Sequence, residues 1–595
     1  MKRIGGYAPI EDYAAIGDGR CAALVARDGS IDWLCVPDFD SASIFGRLLD
    51  AERGGAFELA PRQPFAAERA YVEGTNVLAT TFRTSSGTVR VTDALALADR
   101  TWLSPLRELV RRIEGVEGDV ELEWNVRPRF DYARRAPRLS RRAGVPVAES
   151  GRVAIAVRAW GGDGETIDER GIRGTLRVRA GDTALLALSV ADREPLVFDA
   201  RDAAEARLER TIQFWRDWSS KTEYEGPWRE LVVRSALVLK LLVFAPSAAI
   251  VAAPTTSLPE SIGGGRNWDY RYAWVRDAAF TLVALLRLGH HDVAHSFFWW
   301  LAHATAQTLP RVRVLYRLSG SIEASEDELE HLDGYRGSRP VRVGNGASAQ
   351  LQLDVYGAML DALWWYADEF GDLSGHEGRS VAGIADWVAE NWRRPDSGIW
   401  EIRGEPTHFT HSKAMCWVAL DRACRLAERG LIRDRRDRWR READAIRAFV
   451  DGRLWDPEER AYVRASTLPE PDGSLLLLSL FEYDDPRGSR SNGTIDAVQR
   501  HLRSGIHVRR YRSGDGIEGD EGSFLACSFW LVAALAKAGR LDEARELMDG
   551  LAAAANDVGL YAEELAPDDS FLGNFPQALT HLALVAAALA IEEES

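Results

Sequence analysis

Two hydrophobic periods divide the chain. Up to about residue 200, apolar positions recur every second residue in short stretches separated by Gly, Asp and Arg turns. Residues 120–126 (Val-Glu-Leu-Glu-Trp-Asn-Val) alternate strictly, 88–95 alternate more loosely, and 152–157 form a third run. A period of two sends successive side chains to opposite faces of a strand, so many such runs predict an antiparallel β-sandwich. Residues 174–179 and 184–188 read as a hairpin turning at Gly181-Asp182.

From about residue 201 the period lengthens to that of a helix. Residues 202–221 form a charged amphipathic linker helix. Eleven further helical stretches follow: 228–244, 277–288, 292–308, 350–370, 380–391, 412–427, 435–450, 494–503, 524–538, 542–554 and 576–590. A weak twelfth is placed near 457–463. Runs such as Leu237-Val238-Leu239 and Leu241-Leu242-Val243 are apolar on more than one side, so neighbouring helices must cover them. That requirement fits a closed ring of helical hairpins. An α-solenoid would show a fixed-period sequence repeat, and none is present. The reading is a two-domain α+β chain: a β-sandwich over 1–200, a linker helix over 201–225 and a helical domain over 226–595.

Composition narrows the partners. The 595 residues carry 74 basic and 90 acidic side chains, a net charge of −16. That sign disfavours nucleic acid and anionic membrane surfaces, which need a cationic face. Five cysteines with no CxxC pair indicate neither a disulfide framework nor a zinc site. The N-terminus turns polar at Glu11-Asp12 with no apolar stretch behind its basic pair, so a cytoplasmic location is expected. The sequence is compatible with a homo-oligomer. Twenty tryptophans are an unusual number; their flat faces suit wide helix interfaces and C–H-rich ligands such as sugars.

Candidate chemistry lies in loops between the helices, where a rigid scaffold can present it. Asn267-Trp268-Asp269-Tyr270-Arg271-Tyr272-Ala273-Trp274-Val275-Arg276-Asp277 packs four aromatics and four charges into eleven residues ahead of a helix. Adjacent Arg and Asp supply hydrogen-bond donors and acceptors for vicinal hydroxyls, and the rings supply stacking faces. The competing role for Asp277 is a helix cap paired with Arg276. A second loop, Asp396-Ser397-Gly398-Ile399-Trp400-Glu401-Ile402-Arg403-Gly404, sets Glu401 between apolar residues, whose desolvation raises a carboxyl pKa. A third, Gly559-Leu560-Tyr561-Ala562-Glu563-Glu564-Leu565, precedes the last helix. Two carboxylates facing one cavity are the minimal apparatus for glycoside hydrolysis. Spacing alone does not single out these two from ninety acidic residues. Other constellations fail. Gly263-Gly264-Gly265 lacks the phosphate-loop Lys, and no GxSxG elbow exists. His408 and His411 have no third ligand at zinc spacing. Residues 319–330 read as an acidic surface loop.

Taken together, these loops resemble glycoside hydrolase family 15, which includes glucoamylases, glucodextranases and bacterial-type trehalases. The opening Tyr7-Ala8-Pro9-Ile10-Glu11-Asp12-Tyr13, the stretch Ile16–Arg20 and Asp28-Gly29-Ser30-Ile31-Asp32-Trp33-Leu34 are similar to the N-terminal domain of prokaryotic members. Residues 267–277, 331–340, 350–354, 398–401 with 408–413, and 561–563 follow in family order, so the likeness covers nearly the whole chain. It implies an (α/α)6 barrel after the sandwich and an inverting hydrolysis of non-reducing α-glucosides, with no cofactor and no metal. By resemblance Glu401 is the general acid and Glu563 the general base. Arg276 and Asp277 then hold the non-reducing glucose, with Tyr270 and Trp274 beside it. Trp400 flanks the acid, and Arg510 is a looser match to a sugar-contacting arginine.

Two positions depart from the glucoamylase pattern. The glutamate that there follows the acid is Ile402 here, and the Gln that often follows the base is Glu564. Both affect leaving-group recognition rather than the acid or base. With the trehalase-like N-terminal motifs, they tilt the expectation to trehalose. Short α-1,4 or α-1,6 glucans are the alternative, and a non-catalytic sugar-binding protein is the different-class rival. An inverting pair requires Glu401 protonated and Glu563 ionised near neutral pH. Glu518, Asp520 and Glu521 are rival cavity acids, and Glu564 is a spare carboxylate beside the base.

Overall fold

The computed structural model describes residues 2–97, 107–169, 171–371, 373, 375–512 and 521–595. Its first part is antiparallel β-structure organised around one long strand, Arg107–Arg127. Residues 107–114 of that strand pair with residues 90–96 on one side and 183–190 on the other. Residues 119–126 pair instead with Gly171–Arg179 and Ala56–Pro61. The change of partners falls at Gly115 and Gly118; Gly118 has φ 68° and a Cβ there would sit 2.1 Å from the Ser86 carbonyl oxygen. One strand thus serves both sheets of the sandwich.

This crossing corrects the expected hairpin at Gly181-Asp182. Gly171–Arg179 and Thr183–Asp192 do not pair with each other; they join opposite sheets through the same long strand. Alternation identifies strands correctly but says nothing about which neighbour each one takes.

The remainder is helical, with thirteen α-helices among the described residues: α1 Arg201–Ser219, α2 Arg229–Leu241, α3 Val275–Arg287, α4 His291–Ala306, α5 Asp354–Phe370, α6 Gly375–Asn391, α7 Thr410–Glu428, α8 Arg436–Arg453, α9 Leu477–Leu480, α10 Ser489–Leu502, α11 Leu525–Lys537, α12 Leu541–Ala553 and α13 Ala578–Glu594. Packing closes α3, α5, α7, α9, α11 and α13 into an inner ring, each touching the next and α13 returning to α3. The alternate helices α2, α4, α6, α8, α10 and α12 pack outside them. This is an (α/α)6 barrel. Inner helices α11 and α13 are buried on almost every side, which explains their unbroken apolar sequence.

The weak helix expected at 457–463 is a hairpin of Trp455–Asp456 with Ala461–Tyr462. The Asp456 side chain accepts from the Glu458 and Glu459 amides, and Arg460 takes φ 54°, so the segment turns instead of coiling. The sixth inner helix is α9, one turn long behind the 3-10 segment Gly473–Leu476.

The two parts meet beside the loop 267–277. Trp33 Nε1 donates to the Pro254 carbonyl (2.8 Å), and Arg271 Nη1 donates to the Ser41 carbonyl (2.8 Å) while its fork pairs with buried Asp269. Tyr7 and Tyr335 exchange hydroxyl bonds to Gly334 and Ala8 carbonyls across the same junction. No described helix is long and apolar enough to cross a membrane.

Candidate active site

Loops leading into the inner helices converge at one end of the barrel. They enclose a pocket holding about 740 Å³ of space and open to solvent. Tyr270, Trp274, Arg276, Asp277, Trp400, Glu401 and Arg510 all line it. Seven residues from three stretches distant in sequence, expected at a site from their chemistry or by resemblance, are therefore brought together.

Arg276 and Asp277 occupy the first turn of α3, where an acidic residue is favoured by the helix dipole. Arg276 Nε donates to Asp277 Oδ1 (2.7 Å) and Nη1 to the Ile399 carbonyl (2.8 Å), which ties this turn to the loop carrying Glu401. Burial works against the Arg276 charge, and Asp277 and Glu401 outweigh it, so the guanidinium stays protonated. Behind it Asp396 Oδ2 accepts from the Leu353 amide (3.0 Å) and the Ser412 hydroxyl (2.8 Å), holding the starts of α5 and α7 together. Burial pushes Asp354 up to about 7 and His411 down to about 3, leaving His411 neutral.

Glu401 sits in a tight turn with φ 57°, a strained value for a side chain that is not glycine. The turn depends on Gly398, also at positive φ, where a Cβ would lie 2.8 Å from the Phe409 ring. Trp274 Nε1 donates to Glu401 Oε1 (2.6 Å). Burial raises the Glu401 carboxyl, opposed by the Arg276 charge and the Trp274 bond. Its neighbour Trp400 is anchored by its own Nε1, which donates to Asp472 (2.9 Å) at the start of the α9 segment.

Glu563 is 1% exposed and lies behind Tyr270, outside the pocket lining. The Tyr270 hydroxyl, itself on the lining, donates to Glu563 Oε1 (2.7 Å), and the Asn574 amide donates to Oε2 (3.1 Å). Only glycine fits at Gly573, where φ is 73° and a Cβ would fall 2.4 Å from Glu563 Oε2. Burial and the nearby Glu260 charge push Glu563 up to about 8, against the Tyr270 bond and Arg510. The expected contrast, one carboxyl raised and the other ordinary, is not what burial produces: it raises both.

Glu564 opens the strand Glu564–Leu565 and has partners different from those of Glu563. It takes the Gly522 amide (2.8 Å) and lies 3.2 Å from Arg510 Nη2. Burial and Glu260 hold it well above the ordinary carboxylate range. Of the rival acids, Glu521 pairs with Arg510 Nη2 (2.6 Å), and Glu518 and Asp520 lie outside the described residues. Among the described residues, Glu260, Glu521 and Glu564 bring carboxylate oxygens within 4.8 Å of one another. Arg510 Nη2 lies 2.9, 2.6 and 3.2 Å from the three, and Arg266 pairs with Glu260 and Glu521.

Sequence reasoning missed Glu260, which lines the pocket, and Arg266, which joins the same charge cluster. The only signal for them was the glycine run 263–265 that they flank. It also placed Glu326 on a solvated acidic loop. Glu326 instead accepts both Nη atoms of Arg403 (3.0 and 2.6 Å) and the Gly346 amide (3.0 Å), beside the pocket.

A family model, "Glycosyl hydrolases family 15", matches residues 226–589, and a second, "Trehalase-like, N-terminal", matches residues 5–188. The chain belongs to glycosyl hydrolase family 15. It is a glycoside hydrolase acting on a sugar substrate. It is 37% identical to a trehalase of Mycobacterium tuberculosis, over 99% of this chain and 91% of that one, and 38% identical to a trehalase of Mycolicibacterium smegmatis, over 99% and 92%. A trehalase of Thermoplasma volcanium is 33% identical over 99% and 94%. Among solved structures, a bacterial glucoamylase complexed with acarbose shares the fold at 14% identity, with a TM-score of 0.70 over 99% of this chain and 95% of that one.

Proposed function

We propose that this protein is an inverting, exo-acting α-glucosidase that hydrolyses trehalose to two glucose molecules. The observation that carries the reading is likeness along almost the whole chain to proteins named trehalase, joined to a pocket lined by Glu401 with Glu563 one tyrosine away. In this reading Arg276 and Asp277 grip the hydroxyls of the glucose at the inner end. Glu401 gives its proton to the glycosidic oxygen. Glu563 takes a proton from the water that attacks C1 from the opposite face, and Tyr270 keeps that carboxylate aimed. The leaving glucose gains the Glu401 proton and the other glucose gains hydroxide, so atoms balance and the attacked carbon inverts. Such a pair needs its carboxyls roughly 6.5–9.5 Å apart to admit the water.

The pH dependence follows from the sign of the shifts. Activity rises as Glu563 loses its proton and falls as Glu401 loses its own. With Glu563 pushed up to about 8, the acidic limb of kcat/KM lies well above the ordinary carboxyl range.

The test is a side-by-side assay on trehalose, maltose, isomaltose and panose, with proton NMR of the first turnovers. Trehalose should be preferred and should yield one β- and one α-glucose together. Preference for maltose or isomaltose would move the activity to short glucans. Release of α-glucose alone would mean retention and remove the water mechanism.

A further inference from the structure

Beyond Glu401 the pocket lining skips Ile402 and continues at Arg403, with Trp268 and Glu260 also on the wall. The pocket has a direction. Its inner end, Arg276 and Asp277, is 8% and 7% exposed, whereas the Arg403 side chain is 36% exposed and Trp268 is half-buried. An exo-acting pocket closed at one end takes the non-reducing sugar to the inner end, which leaves the departing sugar among the mouth residues.

Those residues form one braced unit. The Arg403 guanidinium lies 4.2 Å from the centre of the Trp268 ring and Arg342 lies 4.6 Å from it. Glu326 fixes Arg403 from behind through two bonds and pairs with Arg342 (3.4 Å). Arg342 Nη1 also donates to the Gly265 and Asn267 carbonyls (2.9 and 3.0 Å). Trp268 Nε1 donates to Glu260 Oε1 (3.0 Å), and Glu260 Oε2 accepts from Arg510 Nη2 (2.9 Å). A guanidinium has five N–H donors, of which Glu326 uses two on Arg403, and a carboxylate has spare lone pairs. Arg403 stands over the face of the indole at the mouth, and Glu260, 2% exposed, accepts the N–H at the indole's buried edge, so a donor and an acceptor are held at fixed places along one ring, which is what the hydroxyls of a second pyranose require.

We propose that Arg403 and Glu260, spaced by Trp268, recognise the departing glucose and decide which α-glucoside the pocket accepts. This rests on the α-glucosidase reading above and adds to it the residues that read the leaving group. Glu326 is a positioning residue, acting through Arg403.

The experiment compares trehalose with α-D-glucosyl fluoride, which offers the same inner-end glucose and no leaving sugar. In Arg403→Ala, Arg403→Lys and Glu260→Gln, the ratio of kcat/KM for trehalose over the fluoride should fall at least about tenfold, least in Arg403→Lys, because unpaired polar groups penalise a mismatched site steeply. Glu326→Gln should lower the ratio in the same direction. A ratio unchanged in Arg403→Ala and Glu260→Gln, whether both activities fall together or neither falls, would overturn the proposal. If the wild type prefers maltose, the trehalase reading fails by itself, and the same ratio measured with maltose still tests these residues.

Discussion

Glu401 and Glu563 are both held in enclosed surroundings, and both carboxyls are raised by it. They differ in the groups that hold them. Glu563 accepts a bond on each oxygen, from Tyr270 and from the Asn574 amide, a pattern that favours the carboxylate. Glu401 accepts on Oε1 from Trp274, is also hydrogen-bonded by the Gln352 side chain, and faces the Arg276 charge. Burial therefore does not decide which group is acid and which is base. Position separates them: Glu401 lines the pocket beside Arg276, and Glu563 stands one tyrosine behind it.

The contrast is broken most strongly by removing either carboxylate. Glu401→Gln and Glu563→Gln should each lose on the order of 10²–10⁴ in kcat on trehalose, the usual scale of acid–base catalysis. They should then part company on α-D-glucosyl fluoride, whose leaving group needs no proton. Glu401→Gln should recover most of its rate there, and Glu563→Gln should not. Equal recovery in both would erase the distinction.

A smaller effect is expected from Asp277→Asn, which keeps the size of the side chain but removes the charge paired with Arg276; the N-cap of α3 is Trp274, so Asp277 is not the capping residue. A drop of at least about tenfold in kcat/KM, with both pH limbs retained, would place Asp277 on the substrate. Wild-type kinetics would return it to the helix end.

The smallest effect sharpens the base side alone. Tyr270→Phe deletes the donor that lowers the Glu563 pKa. Its acidic limb should move to higher pH by less than about one unit, about 1.4 kcal/mol, while the alkaline limb stays with Glu401. A limb that does not move, measured as kcat/KM against pH, would mean that Tyr270 does not tune this carboxyl.

Legibility in the sequence followed the length of each signal. Helices such as α5 and α7 announce themselves over four turns of apolar repeat, whereas α9 has four residues and no period to read. The alternation at 174–179 and 184–188 fixed two strands but not their partners, because one distant strand pairs with both. At the site, Arg276, Asp277 and Glu401 stood out as mixed aromatic and charged loops. Glu260 did not, since its role comes from Trp268, Arg510 and Glu563 meeting it across the pocket wall. The spare Glu564 was distinguishable from Glu563 only by its partners, Gly522 and Arg510 in place of Tyr270 and Asn574.

The bond from Arg271 to the Ser41 carbonyl has a consequence for modular reuse of this enzyme. Arg271 stands between Tyr270, which holds Glu563, and the stretch that ends in Arg276-Asp277, and its guanidinium is shared between Asp269 and the β-sandwich. The helical half is therefore not an interchangeable cassette. Grafted behind a foreign N-terminal domain, it would keep its pocket in shape only if the new domain offered a carbonyl where Ser41 does and an indole N–H to Pro254 where Trp33 does.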